Sequence, residues 1–109
     1  MTPEGRVKAK LNRALKALEP HVWRFMPVQN GMGIPGLDYF LCVNGSFVAV
    51  ETKAPGKKLT PRQETTKANI VAAGGVVFVV DDDESVEYAM RIMIHMTEYP
   101  IDAAIRFAP

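Results

Sequence analysis

The chain has one cysteine, Cys42, so no disulfide can form within it, and a reducing compartment is expected. Cys42 falls in a predicted strand, where the expectation is a buried structural thiol rather than a nucleophile. His21 and His95 are its two histidines. Neither has a nucleophile motif near it, which argues against a Ser/His/Asp hydrolase. The Cys/His spacing of a zinc site is missing. So is the lysine motif of a phosphate-binding loop. No apolar run approaches the ~20 residues of a membrane span, and the opening Met-Thr-Pro-Glu, followed by basic residues, is not a signal peptide. A cytoplasmic protein without membrane association is therefore expected. The sequence shows no repeat, low-complexity tract or linker, and its 109 residues read as a single domain, 1–109.

What is present is unevenly distributed. Residues 1–67 carry eleven Lys or Arg against five Asp or Glu, a net +6, and residues 68–109 carry two against seven, a net −5. A polyanion would approach the first part. The alternative is two solvated faces of opposite sign.

Thr2-Pro3-Glu4 opens a helix, with Thr as N-cap, Pro at the first helical position and an acid in the first turn. Val7, Leu11, Ala14, Leu15 and Leu18 give it an apolar stripe, and Arg6, Lys8, Lys10, Arg13 and Lys16 lie mostly off that stripe. Glu4 falls on the inward side, three residues before Val7 and seven before Leu11. It is either an acid interacting with the helix dipole or a carboxylate aimed at a cation. After Pro20, residues 21–28 read as a first strand with Trp23 and Phe25. The glycine-bearing stretch 29–36 is either a loop that admits a phosphate closely or a plain connection.

Residues 38–53 read as a hairpin around Asn44-Gly45, a dipeptide suited to a type I′ turn because both positions need positive φ. That turn sets the register: Val43 faces Ser46, Leu41 faces Val48, and Asp38 faces Glu51. Glu51 and Lys53 share a face of their strand, and Asp38 joins them across the ladder. Two carboxylates about 5 Å apart repel by about 3 kcal/mol at an effective dielectric near 20. A hard divalent cation, which prefers oxygen ligands, is the natural group between them. With the Lys53 ammonium beside it, such a site suits phosphodiester chemistry.

The short basic loop 54–58 leads to Thr60-Pro61-Arg62-Gln63, a capping box that opens a second helix and accounts for Gln63 locally. This helix ends near Gly74-Gly75. Val76–Val80 reads as a strand buried on both faces. A strand, a helix and another strand suggest a crossover and a parallel pair within a mixed sheet. The acidic run 81–84 is expected to cap a third helix of about 85–96 rather than hold a metal. Val86, Met90, Ile92, Met93, Ile94 and Met96 spread apolar residues over more than one side of that helix. Residues 100–109 form a short apolar tail, either a last strand or a cover for the third helix.

Several stretches, taken in order, resemble a known family. They are Met26-Pro27-Val28-Gln29 through Gly36-Leu37-Asp38-Tyr39-Phe40, then Asn44-Gly45, Ala49-Val50-Glu51-Thr52-Lys53-Ala54, Thr60-Pro61-Arg62-Gln63 and Ala72-Ala73-Gly74-Gly75. Together they resemble a minimal stand-alone VRR-NUC domain, of the phage or bacterial type, within the PD-(D/E)xK nuclease superfamily. The resemblance covers nearly everything from Glu4 to Asp81. It departs at Leu37, where the family usually has proline before the aspartate.

The resemblance implies an α/β fold with a restriction-endonuclease-like core of order α-β-β-β-α-β-α. It places metal-binding acids at Asp38 and Glu51, with Glu4 and the Thr52 carbonyl as further metal ligands. Lys53, Asp38, Glu51 and Gln63 become the catalytic set, with Mg²⁺ or Mn²⁺ as cofactor. Lys57, Lys58, Arg62 and Lys67 are candidates for contacts to flanking DNA phosphates, which position without reading sequence. Nothing resembles a base-reading module, so structure-selective cutting of branched or four-way DNA is expected, in a bacterial or phage-infected cytosol. The rivals are a non-catalytic DNA-binding or assembly module of the same fold and a nuclease acting on single strands or RNA. The Met-rich third helix leads to the expectation of a homodimer, whose two-fold symmetry would match a four-way junction.

Overall fold

The computed structural model describes residues 1–27 and 37–99. Its elements are α1 (Pro3–Ala17), β1 (Val22–Phe25), β2 (Tyr39–Val43), β3 (Ser46–Thr52), α2 (Pro61–Ala72), β4 (Val76–Val80) and α3 (Asp83–Glu98). This is the expected α-β-β-β-α-β-α order. Residues 29–36 and the 100–109 tail, about which two readings each were open, lie outside the described residues, as does Val28.

The helices begin where the local chemistry dictates. Thr2 Oγ1 accepts from the Gly5 N–H at 3.0 Å, with Pro3 next in the chain. Thr60 and Gln63 form a complete capping box at the start of α2. Asp82 Oδ1 takes the Ser85 N–H at 2.8 Å, so the acidic run caps α3, which starts two residues earlier than its periodicity suggests. At the hairpin, Asn44 and Gly45 have φ of 49° and 96°. The resulting register pairs Val43 with Ser46, Leu41 with Val48 and Tyr39 with Val50, as the turn requires.

The sheet runs β1-β2-β3-β4. β2 pairs antiparallel with β1 and β3, and β3 pairs parallel with β4 through the α2 crossover. One sheet face presents Val22, Tyr39, Leu41, Val43, Val48, Val50 and Val80 to the core. α1 covers it with Val7, Leu11 and Leu15, and α3 with Val86, Ala89, Met90 and Met93. The two helices are bridged by Lys10, whose ammonium lies 2.9 Å from Glu87 and 3.6 Å from Asp83. Part of the charge asymmetry is thus neutralised inside the fold. Among the described residues, no helix is long and apolar enough to cross a membrane.

Three sequence expectations change. Val76–Val79 are only partly buried, because β4 is an edge strand and α2, which has no buried residue, covers its outer face loosely. Cys42 is exposed. It alternates with Leu41 and Val43, which face the core, so its thiol points outward over β2. Met90 and Met93 are in the core at 7% and 0% exposure, and Met96 packs against it. Met90 and Met93 are therefore closed off by α1 and the sheet, while Ile94 of the same helix stays 43% exposed. His21 and His95 are both exposed.

Candidate active site

The site lies on the sheet's outer face at the ends of β2 and β3. The backbone ladder closes at Tyr39–Val50, and the next rung is made by side chains. Glu51 Oε1 accepts the Asp38 N–H at 2.9 Å. Asp38 Oδ2 accepts the Thr52 N–H at 3.0 Å and the Thr52 hydroxyl at 2.5 Å. The hairpin thus brings Asp38 and Glu51 together in the register read from the turn, each held by the other's strand.

Lys53 and Gln63 join them. Lys53 Nζ is 3.5 Å from Glu51 Oε2, and Gln63 Nε2 donates to the same oxygen at 2.8 Å. Gln63 also closes the capping box, its Oε1 accepting the Thr60 N–H at 3.0 Å. One side chain thus both starts α2 and contacts Glu51.

Glu51 is buried at 3% exposure. Its burial pushes the carboxyl above the ordinary glutamate range, and the charge of Asp38 pushes the same way; the Asp38 N–H and Lys53 oppose them. Next to Asp38, Tyr39 points to the opposite face and donates to Asn12 Oδ1 of α1 at 2.8 Å. Its phenol is pushed up to about 12 by burial first and by the Asp38 charge second. Arg24 reaches the same Asn12 oxygen at 3.3 Å. This polar cluster anchors α1 to the sheet beside the site.

Glu4 does not gather with the pair: the described residues contain no group of three or more His, Cys, Asp or Glu able to hold a metal. It lies in the first turn of α1, half-buried. The residue α1 does supply is Lys8, whose Nζ is 3.8 Å from Asp38 Oδ2. Sequence reasoning missed it. The available signal was its position three and seven residues before the stripe residues Leu11 and Leu15. The Thr52 hydroxyl was also missed, since only its carbonyl was considered.

Lys57 and Lys58 are exposed on the loop after the site strand, which Gly56 ties to the end of β4 by donating to Asp81 Oδ2 at 3.2 Å. Arg62 is exposed in the first turn of α2. Lys67, four residues after Gln63, shares the site-facing side of that helix, and Arg62 lies on its flank. None of these four has an ion pair among the described residues.

The donor set fits a hard divalent ion. Two carboxylates converge, their inner oxygens are fixed by the backbone, and Asp38 Oδ1 has no protein partner among the described residues.

A four-stranded mixed sheet flanked by helices, in the order α-β-β-β-α-β-α, is a small α/β fold of the nuclease-like type. The comparison with solved structures agrees: the chain is similar to a VRR_NUC domain with a TM-score of 0.71 and 24% identity, over 84% of this chain and 97% of that one. At that identity the likeness establishes the fold. No family model and no curated protein matches the sequence.

Proposed function

We propose that the protein is a divalent-metal-dependent endodeoxyribonuclease, with residues 1–109 as one nuclease domain and branched or four-way junction DNA as its substrate. The observation that carries this reading is the Asp38–Glu51 rung with Lys53 beside it, set on a nuclease-like fold. Asp38, Glu51 and the Thr52 carbonyl would hold Mg²⁺ or Mn²⁺, with Glu4 as an outer candidate. Such an ion, when bound, would supply an activated water and charge neutralisation at the scissile phosphate. Thr52 fixes the Asp38 carboxylate, and Gln63 fixes that of Glu51. Lys53 orients the attacking water or stabilises the extra negative charge of the transition state. Lys57, Lys58, Arg62 and Lys67 contact flanking phosphates.

The proposal includes a homodimer that presents two such sites. Among the described residues, Trp23, Phe25 and Phe47 are apolar side chains exposed at 66%, 52% and 48%. The register puts all three on the outer sheet face, and that is where the interface is placed.

The test is a panel of labelled substrates: four-way junction, duplex, single-stranded DNA and single-stranded RNA, each with Mg²⁺ or Mn²⁺. Cleavage of the junction, lost in Glu51→Ala at matched metal concentration, is expected. Junction binding with no cleavage in either metal identifies a non-catalytic module instead. Wild-type rates in Glu51→Ala remove the site assignment.

A further inference from the structure

Each carboxylate of the site faces an ammonium, but the two ammonium groups are held differently. Lys53 is two residues after Glu51 on the same strand, and its side chain is only 16% exposed. Lys8 comes from α1, and its side chain is 36% exposed with Nζ 3.8 Å from Asp38 Oδ2. That distance is an ion pair without a close hydrogen bond. The helix beneath Lys8 is well fixed. Asn12, four residues on and so on the same side of α1, accepts from both Tyr39 and Arg24. A rigid helix therefore presents a long, flexible cation to the carboxylate that has an oxygen to spare.

We propose that Lys8 is the site's resident cation, standing on Asp38 while no metal is bound and moving to a DNA phosphate when a divalent ion takes its place. The inference rests on the metal reading above and adds an exchange to it. A dication on Asp38 repels an ammonium about 4 Å from the same oxygen. The four-carbon stem of lysine lets that charge swing outward without moving α1. The DNA backbone, brought in by the basic 53–67 segment, is the anion nearest to receive it. Lys8 is thus a positioning residue in the empty site and a phosphate contact in the loaded one.

This exchange predicts two effects of opposite sign for Lys8→Gln. In the DNA-free protein, Mn²⁺ followed by calorimetry should bind about fivefold tighter, because a competing surface ion pair is gone. With Mn²⁺ bound, in a Lys53→Ala background that slows cutting, affinity for a labelled four-way junction should fall and the slope of log affinity against log salt should be shallower by about 0.9, one phosphate contact, whereas in EDTA, where Lys8 stays on Asp38, the slope should not change. Lys8→Arg, which keeps the charge, should restore the salt slope. A purely structural lesion would weaken both ligands. Unchanged or weaker Mn²⁺ binding, an unchanged salt slope with Mn²⁺ bound, or an equal change of slope in EDTA overturns the exchange while leaving the metal site standing. A wild-type protein that takes up no Mn²⁺ overturns the metal reading and the exchange together.

Discussion

Gln63 is the residue whose replacement is most revealing. It accepts the Thr60 N–H at 3.0 Å and donates to Glu51 Oε2 at 2.8 Å. Gln63→Glu keeps the first bond, since glutamate serves equally in a capping box, and reverses the second. The lost hydrogen bond to a charged acceptor is worth about 1.5–3 kcal/mol. Two carboxylates with charge centres about 4 Å apart repel by about 4 kcal/mol at an effective dielectric near 20. Holding one proton on an ordinary carboxyl at neutral pH costs about 3.7 kcal/mol, which is less than that sum. The pair therefore keeps a proton, and the net loss is about 2–4 kcal/mol, a fall of ~10–25 °C in Tm.

Thermal melts in EDTA at pH 7 and pH 4 measure it. The carboxyl pKa of the pair is raised in the folded state, so its favourable contribution is complete below the ordinary carboxylate pKa and disappears as pH rises through the raised value. The deficit should therefore be large at pH 7 and small at pH 4. Wild-type Glu51, also raised, should give a weaker trend of the same sign. Mn²⁺ at pH 7 should recover much of the loss, because the variant has a third carboxylate for the ion. If Gln63→Glu melts with the wild type at pH 7 in EDTA, the Gln63–Glu51 contact does not exist in solution.

Other outcomes follow from the same geometry. Lys53→Ala should lower the single-turnover rate by roughly two orders of magnitude or more with a much smaller change in DNA affinity; the reverse pattern makes Lys53 a phosphate anchor only. Neutralising Lys57, Lys58 and Arg62 together should flatten the salt dependence of DNA affinity by about 0.9 per lost contact, and an unchanged slope means that the basic face is merely solvated. Met93→Lys puts an unpaired charge into a 0% exposed core position and should unfold the protein rather than split a dimer. Trp23→Lys should instead halve the mass in light scattering at unchanged Tm; a dimer that persists places the interface elsewhere.

The parts legible in sequence are those set by local chemistry. Asn44-Gly45 demands positive φ at two positions, so it fixed the strand register and with it the Asp38–Glu51 pairing. The Thr60–Gln63 box marked the start of α2, and the acidic run 81–84 the capping of α3, whose first residue is two earlier than expected. The misses are tertiary. Cys42 is exposed because α2 lies over the β3–β4 side of the sheet and leaves β1–β2 open, which no strand periodicity reveals. Met93 is buried because α1 and α3 pack side by side. Lys8 reaches Asp38 only through the way α1 is seated by Asn12, Tyr39 and Arg24. Gln63 shows the limit from the other side: its local and site roles looked like rivals in sequence, and in the fold they are two ends of one amide.

The last rung between β2 and β3 has a consequence for how the sheet end behaves. Everywhere above it the strands are joined by peptide groups, which do not ionise. At this rung the Asp38 and Thr52 amides are closed by carboxylate oxygens instead. Its strength therefore depends on ionisation and on whatever ion draws on the same oxygens. The exchange lifetimes of these two amide protons thus act as a built-in gauge of site occupancy, readable without any substrate.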